Sequence, residues 1–169
     1  MAALRIFIDA DACPVKDEVY KVAWRHEVPV SVVSNQRIRI PEHPSIARIV
    51  VSDAFDAADD WIAERADAGA VVITGDILLA DRCLKAGATV IAHNGRPFTP
   101  ASIGGAIATR AIMADLRVGA AGNREALTGG PAPFAKADRS RFLEALDAAL
   151  VRLARGVNSA RASTLHRNL

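Results

Sequence analysis

One stretch near the N-terminus decides the fold: Leu4-Arg5-Ile6-Phe7-Ile8-Asp9-Ala10-Asp11-Ala12-Cys13-Pro14-Val15-Lys16. Its apolar part, residues 4–8, is rich in β-branched and aromatic side chains without a helical period, which predicts a buried strand. Two carboxylates, Asp9 and Asp11, follow at once. Pro14 suits the first turn of a helix, where its missing N–H would have no partner. Asp9 and Asp11 therefore belong where open parallel sheets bind ligands, beyond the carboxyl end of a strand.

Two carboxylates this close together require an explanation. They repel each other and lose hydration unless a cation or a group of hydrogen-bond donors compensates. A metal site at the end of the first strand is therefore the first hypothesis about function.

The length of 169 residues fits one domain with a substantial core. We predict a single α/β domain over residues 1–156 and a flexible polar tail over 157–169. The apolar runs are too short to cross a membrane and no secretory signal is visible, so we expect a cytoplasmic protein without a membrane partner. Cys13 and Cys83 are too few for a disulfide framework, and we expect reduced thiols.

Charge is distributed unevenly along the chain. Residues 1–81 carry 8 Lys/Arg against 14 Asp/Glu, a net −6, whereas residues 82–169 carry 13 against 5, a net +8. Of the 21 basic residues 17 are arginine, whose guanidinium suits phosphate oxygens. An acidic half and an arginine-rich half favour a metal-dependent enzyme acting on a phosphodiester, although solvated helix faces would also account for the arginines.

Strand-like and helix-like segments alternate along the first part of the chain. Strands are predicted at residues 4–8, 28–34, 46–52, 70–74 and 89–92, and helices at residues 15–27, 54–65, 77–86, 103–116 and 138–155. Residues 36–45 are predicted to form an irregular connection or a short extra strand, and residues 119–133 a glycine-rich loop. The alternation predicts a three-layer α/β fold with a mainly parallel sheet between helices, plus a helical C-terminal extension.

Further carboxylates are expected at the same edge of the sheet. Asp56, Asp59 and Asp60 share one side of a helix, Asp76 follows the fourth strand, and Asp81 lies one turn into the next helix. Such oxygen ligands suit Mg²⁺ or Mn²⁺, which can orient water and polarise a phosphoryl group. The alternatives are structural: Asp53 and Asp76 as helix caps, and Asp59, Asp60 and Asp81 as a solvated face.

The opening motif, residues 9–16, resembles the signature of the YaiI/YqxD family of uncharacterised bacterial proteins. The resemblance continues through residues 55–62, 74–80, 129–131 and 134 and through Asp138-Arg139, and so covers nearly the whole chain. That family is grouped with PIN-like domains, so the resemblance implies a metal-dependent nuclease fold.

The acidic helix and the strand after it are also similar to those of flap-type 5′-nucleases. By that resemblance the metal-site carboxylates are Asp9, Asp56, Asp59, Asp60 and Asp76. Two departures affect this assignment: the spacing from Asp56 to Asp59 is one residue longer than in those nucleases, and the next acid, Asp81, comes five residues after Asp76 rather than two.

Substrate contacts are predicted in the basic half. Arg110 and Arg117 lie seven residues apart on one helix face and could follow a phosphate backbone, and Gly129-Gly130 could offer N–H groups to an anion. Arg139 matches the family motif. An exposed basic face and a simple turn are equally good explanations of the first two features.

These observations predict a Mg²⁺- or Mn²⁺-dependent nuclease, with RNA favoured over DNA. Asp9, Asp11, Asp60 and Asp76 are the predicted catalytic residues; Asp56, Asp59 and Asp81 complete the predicted metal site or the shell that orients water. One alternative is a haloacid-dehalogenase-like phosphatase with Asp9 as nucleophile and Asp11 as acid/base, which lacks its usual lysine here. Another is a non-catalytic domain that binds RNA or a protein partner.

Overall fold

A computed structural model describes residues 3–119 and 134–167 of the chain. This part contains five strands and five helices, and their bounds are β1 (Arg5–Asp9), α1 (Lys16–His26), β2 (Val30–Ser34), β3 (Ile46–Val50), α2 (Ala57–Arg65), β4 (Ala70–Ile73), α3 (Ile77–Lys85), β5 (Thr89–Ile91), α4 (Pro100–Gly119) and α5 (Lys136–Arg167). None of the helices in the described residues combines the length and apolar character that crossing a membrane requires.

The five strands form one sheet in the order β3-β2-β1-β4-β5, and every neighbouring pair is parallel. The chain moves outward from β1 to β3 and then returns to place β4 on the other side of β1. In the register of the sheet, Ile8 of β1 lies between Val32 of β2 and Ile73 of β4. This confirms the predicted three-layer α/β fold and places the topological switch point between β1 and β4, where open sheets form their ligand crevice.

Side chains from alternate residues of the strands pack into two separate hydrophobic cores, one on each face of the sheet. Ile6 and Ile8 pack with α1 and α5, whereas Phe7 packs on the opposite face with α2, α3 and α4. Side chains point to alternate faces of a strand, so one short apolar run serves both layers. The helices that follow β1 and β4 consequently cover opposite faces, and the crevice opens between them.

Three local predictions are corrected by the structure. Helix α2 begins at Ala57 rather than at residue 54, so Asp53 does not cap it. Helix α4 extends over Pro100–Gly119 rather than over residues 103–116. Residues 36–45 contain no strand, so the irregular connection, one of the two predicted alternatives, is confirmed there. Helix α5 continues to Arg167, so Gly156 lies inside the helix and does not end it. Of the predicted flexible tail, residues 157–169, the part up to Arg167 is helical. The predicted glycine-rich loop, residues 119–133, lies almost wholly outside the described residues.

Candidate functional site

A cleft of about 690 Å³ opens at the switch point, beyond the carboxyl ends of β1 and β4. Five carboxylates from three separate segments line it, namely Asp9, Asp11, Asp56, Asp59 and Asp76. The fold therefore brings together acids that lie up to 67 residues apart in sequence, because parallel strands end at one common edge.

Asp9 is the most enclosed of the carboxylates at the centre of the cleft. Thr74, which is completely buried, donates its Oγ1 hydrogen bond to Asp9 Oδ2 at 2.8 Å. The same Oγ1 accepts a hydrogen bond from the backbone N–H of Asp76 at 3.0 Å. Burial raises the pKa of Asp9, with smaller contributions from the charges of Asp76 and Asp11, while the Thr74 hydrogen bond opposes the rise.

Asp11 sits in the turn after β1 and is held by donors from the end of β2. Ser34 Oγ donates to Asp11 Oδ1 at 2.7 Å, and the backbone N–H of Asn35 donates to Oδ2 at 3.3 Å. The turn itself uses a left-handed backbone conformation at Ala12, with φ of 61°. The left-handed region of backbone conformation is strained for a residue other than glycine. Ala12, which adopts it here, lines the cleft.

Asp76 both caps a helix and lines the cleft. Its Oδ1 accepts hydrogen bonds from the backbone N–H groups of Leu78, at 2.8 Å, and Leu79, at 3.3 Å, and thereby fixes the start of α3. Arg110 Nη1 approaches the same oxygen to 3.7 Å. The sequence allowed two interpretations of Asp76, as a helix cap or as a carboxylate of the site. The structure shows that Asp76 caps α3 and lines the cleft at the same time.

Asp59 and Asp56 complete the acidic wall on α2. Burial raises the pKa of Asp59 to about 6, helped by the charges of Asp76, Asp9 and Asp56 and opposed by Arg82. Asp56 occupies the N-cap position of α2 but makes no capping hydrogen bond with its side chain. Its carboxylate is therefore not engaged by the helix that it precedes.

Asp60 and Asp81 do not line the cleft. Arg82 Nη1 donates to Asp60 Oδ1 at 2.8 Å, and Lys85 Nζ donates to Asp81 Oδ2 at 2.8 Å. Both acids are thus ion-paired with α3 side chains. Arg82 itself lines the cleft, so its pairing with Asp60 holds a guanidinium at the margin of the site.

The predicted substrate residues are dispersed. Arg110 lines the cleft beside Asp76. Arg139 instead joins α5 to α1, because its Nη1 donates to the carbonyl of Pro14 at 2.8 Å and to Glu18 Oε1 at 3.1 Å. Arg117 lies near the end of α4, and Gly129 and Gly130 lie outside the described residues.

Several residues of the site were not predicted from the sequence. Four of them line the cleft, namely Asn35, Phe55, Arg82 and His93, and Thr74 supports the site through its hydrogen bond to Asp9. Asn35 and His93 come just after β2 and β5. The rule that ligands bind beyond the carboxyl ends of parallel strands, which identified Asp9, would have identified these two residues as well. The ring of His93 packs beside Gly75, where an added Cβ would come within 3.2 Å of His93 Cε1. Burial lowers the pKa of His93, which favours the neutral imidazole, and its Nε2 atom is buried with no hydrogen-bond partner among the described residues.

The donor set of the cleft fits a hard divalent cation by its chemistry. Oxygen ligands of carboxylates are those that Mg²⁺ and Mn²⁺ prefer. Burial raises the pKa of Asp9 and of Asp59, and the charges of the neighbouring acids add to the rise. Within residues 3–119 and 134–167, no three His, Cys, Asp or Glu residues stand in an arrangement ready to surround an ion.

Fold and site together define the class: a three-layer α/β protein with an acid-lined cleft at the switch point of a parallel sheet. A family model described as "Uncharacterized BCR, YaiI/YqxD family" matches residues 7–152. The chain belongs to this family, as its opening motif predicts.

Relatives from several bacteria resemble the chain over most of its length. A UPF0178 protein of Sphingopyxis alaskensis is 68% identical over 157 residues, covering 93% of this chain and 99% of that protein. A UPF0178 protein of Bradyrhizobium diazoefficiens is 60% identical, with 89% and 87% covered, and one of Rhodopseudomonas palustris is 57% identical, with 91% and 94% covered. A search of the solved structures found no match.

Proposed function

We propose that this protein is a metal-dependent phosphodiester hydrolase acting on nucleic acid, with RNA as the favoured substrate and Mg²⁺ or Mn²⁺ as the cofactor. One observation carries the proposal: five carboxylates line a single cleft, where burial and, to a smaller extent, their mutual repulsion raise the pKa of Asp9 and of Asp59. Carboxylates kept close without a cationic partner for each are typical of sites that bind a divalent ion.

We assign the ion to Asp9, Asp59 and Asp76, because Asp76 acts electrostatically on Asp9, and both act on Asp59. Their side chains would have to move closer together around the ion, since no three acids of the described residues already surround one. When bound, Mg²⁺ or Mn²⁺ would lower the pKa of a water molecule and neutralise charge on a phosphoryl oxygen. Asp11 and Asp56 would accept hydrogen bonds from water in the cleft. Thr74 holds Asp9 in place through its hydroxyl group, which is the kind of supporting contact that orients metal ligands.

Two arginines at the cleft supply positive charge for a phosphate group. Arg110 lies 3.7 Å from Asp76, and Arg82 is held by Asp60. A guanidinium offers a planar set of donors that matches phosphate oxygens. The arginine-rich C-terminal half of the chain supports the same class of polyanionic substrate.

The phosphatase alternative has one feature in its favour. Ser34, at the end of β2, donates to Asp11, which places a hydroxyl group beside the pair Asp9 and Asp11. Among the described residues that line the cleft there is no lysine to neutralise a phosphoaspartate. Trapping of a phosphorylated Asp9 would favour the phosphatase over the nuclease.

The first experiment is calorimetric titration of Mn²⁺ into the wild type, Asp9→Asn and Asp53→Asn, followed by cleavage of a labelled RNA by the same three proteins. Asp53 is the matched control, because it is an exposed aspartate of the same region that does not line the cleft. We expect metal binding and cleavage in the wild type and in Asp53→Asn, and loss of both in Asp9→Asn.

The other outcomes each discriminate between alternatives. Metal binding without cleavage would point to the phosphatase, and a wild type that takes up no Mn²⁺ would overturn the metal site altogether. RNA binding that needs no Mn²⁺ and survives in Asp9→Asn would favour a non-catalytic binding domain. A DNA oligonucleotide of the same sequence tests the preference for RNA.

A further inference from the structure

Phe55 is a fully exposed aromatic residue at the margin of the acidic cleft. Its relative exposure is 100%, and it lies directly before Asp56 in the segment that leads into α2. It lines the cleft together with Ala54 and Asp56. A phenyl ring left in water contributes nothing to the core and forgoes the stabilisation that burial would provide.

Among the described residues, one other large aromatic side chain is exposed, and it packs against a neighbouring ring. Trp24 is 67% exposed, but its ring packs against His43 with centroids 4.9 Å apart, and it does not line the cleft. Phe55 appears in no ring contact among the described residues. The exposed ring therefore belongs specifically to the candidate site.

The surroundings of Phe55 decide what kind of molecule would cover it. Leu78, about half exposed, adds a second small apolar surface to the cleft, while Arg82 and Arg110 supply cations. One ring and one leucine are far less than the roughly 1,200 Å² or more that a stable protein interface buries. A flat apolar group that carries an anion alongside it fits this arrangement, and a nucleotide has that composition.

We propose that Phe55 is a stacking platform for an unpaired nucleobase adjacent to the phosphodiester held in the cleft. This inference rests on the proposed nuclease function and adds to it a specificity-determining residue. An aromatic ring stacks on any base face without reading its sequence. In a duplex both faces of a base are already covered by its neighbours, so a platform of this kind selects single-stranded segments.

The test compares Mn²⁺-dependent cleavage of one labelled RNA, single-stranded or annealed into a duplex, by four proteins. They are the wild type, Phe55→Ala, Phe55→Trp and the control Trp24→Ala. Loss of one stacked base corresponds to about a 5- to 150-fold weaker interaction. We expect Phe55→Ala to raise KM for the single strand by a factor in that range, with kcat within about twofold. Phe55→Trp keeps an aromatic face, so its KM for the single strand should be close to that of the wild type.

A substrate series makes the assignment specific to stacking. A set of RNAs, each with one abasic position, should include one position at which the wild type loses affinity. In Phe55→Ala the same abasic position should cause no further loss, because the stacking partner is already missing. Trp24→Ala should behave as the wild type on every substrate.

The results separate the two proposals. If the wild type cleaves RNA and Phe55→Ala matches it within twofold on every substrate, the stacking role is overturned while the nuclease function stands. Equal cleavage of single-stranded and duplex RNA by the wild type also overturns it. If the wild type neither binds Mn²⁺ nor cleaves RNA, the nuclease function is overturned and the stacking role with it.

Discussion

Thr74 connects the two carboxylates that end β1 and follow β4. Its hydroxyl group donates to Asp9 and accepts from the backbone N–H of Asp76, and the side chain is completely buried. Because a single hydroxyl group makes both hydrogen bonds, it fixes the position of one acid relative to the other. At this scale the site depends on a residue that carries no charge.

Thr74→Val tests this connection, since valine has the same shape but no hydrogen-bonding group. The pKa of Asp9 should rise further, because the hydrogen bond that opposes the rise is removed. A hydrogen bond to a charged group is worth about 1.5–3 kcal/mol, so we expect Mn²⁺ affinity to fall by roughly tenfold or more. The acidic limb of the pH profile of cleavage should move to higher pH.

Thr74→Ser is the control for that experiment, because serine keeps the hydroxyl group. It should restore both the affinity and the pH profile. Unchanged Mn²⁺ affinity in Thr74→Val would show that the hydroxyl group does not position Asp9 for metal binding.

Among the elements, α5 is part of the core rather than an appendage. Phe142, Leu146 and Leu150 are completely buried in the cluster that also contains α1 and one face of the sheet. Asp147 of α5 accepts a hydrogen bond at Oδ1 from Arg25 Nη2 of α1 at 2.8 Å, and the same oxygen lies 2.6 Å from His26 Nε2 of α1. The apolar stripe predicted from the sequence of this helix therefore has its partner in α1.

Two phenylalanines provide a matched test of this packing. Phe142→Ala should cost about 3–5 kcal/mol of unfolding free energy, because a buried ring is removed and a cavity remains. Phe55→Ala removes the same atoms from a fully exposed position and should stay within about 0.5 kcal/mol of the wild type. Urea unfolding followed by circular dichroism measures both. A cost below about 1 kcal/mol for Phe142→Ala would contradict the packing of α5.

Over the whole molecule, the acidic cleft opposes folding when no cation is present. The pKa values of Asp9 and Asp59 are raised in the folded protein, so it binds more protons than the unfolded chain does. Stability then falls as pH rises through the interval between the unfolded and folded pKa values. For Asp59 that interval runs from the ordinary aspartate pKa of 3.8 to about 6.

Asp59→Asn should flatten this dependence in the metal-free protein. At pH 7 the variant should be more stable than the wild type by on the order of 1 kcal/mol, a value reduced for the screening of a partly exposed group. Below about pH 3 the difference should vanish, because Asp59 is then protonated in both states. Urea unfolding in EDTA between about pH 3 and pH 7.5 measures this difference, with Asp53→Asn as the control. An unchanged slope in Asp59→Asn would refute the coupling.

The sequence alone predicted most of the architecture. Apolar runs rich in β-branched residues, separated by helical patterns, indicated the strands and the three layers, because hydrophobic periodicity is a local property. The carboxylates Asp9 and Asp76 were identified because a strand end is visible in sequence. Element ends were less certain: α2 starts three residues later and α5 continues past Gly156.

Only the tertiary structure decided which carboxylates share the cleft. Asp59 and Asp60 are adjacent in sequence, yet Asp59 lines the cleft while Asp60 pairs with Arg82. That outcome depends on where α3 lies relative to α2, which no local pattern contains. Likewise, Phe55 resembles an ordinary core residue in sequence, yet in the structure it is fully exposed in the segment before α2. Local chemistry and periodicity thus determined the elements, whereas the packing of elements distant in sequence determined the site.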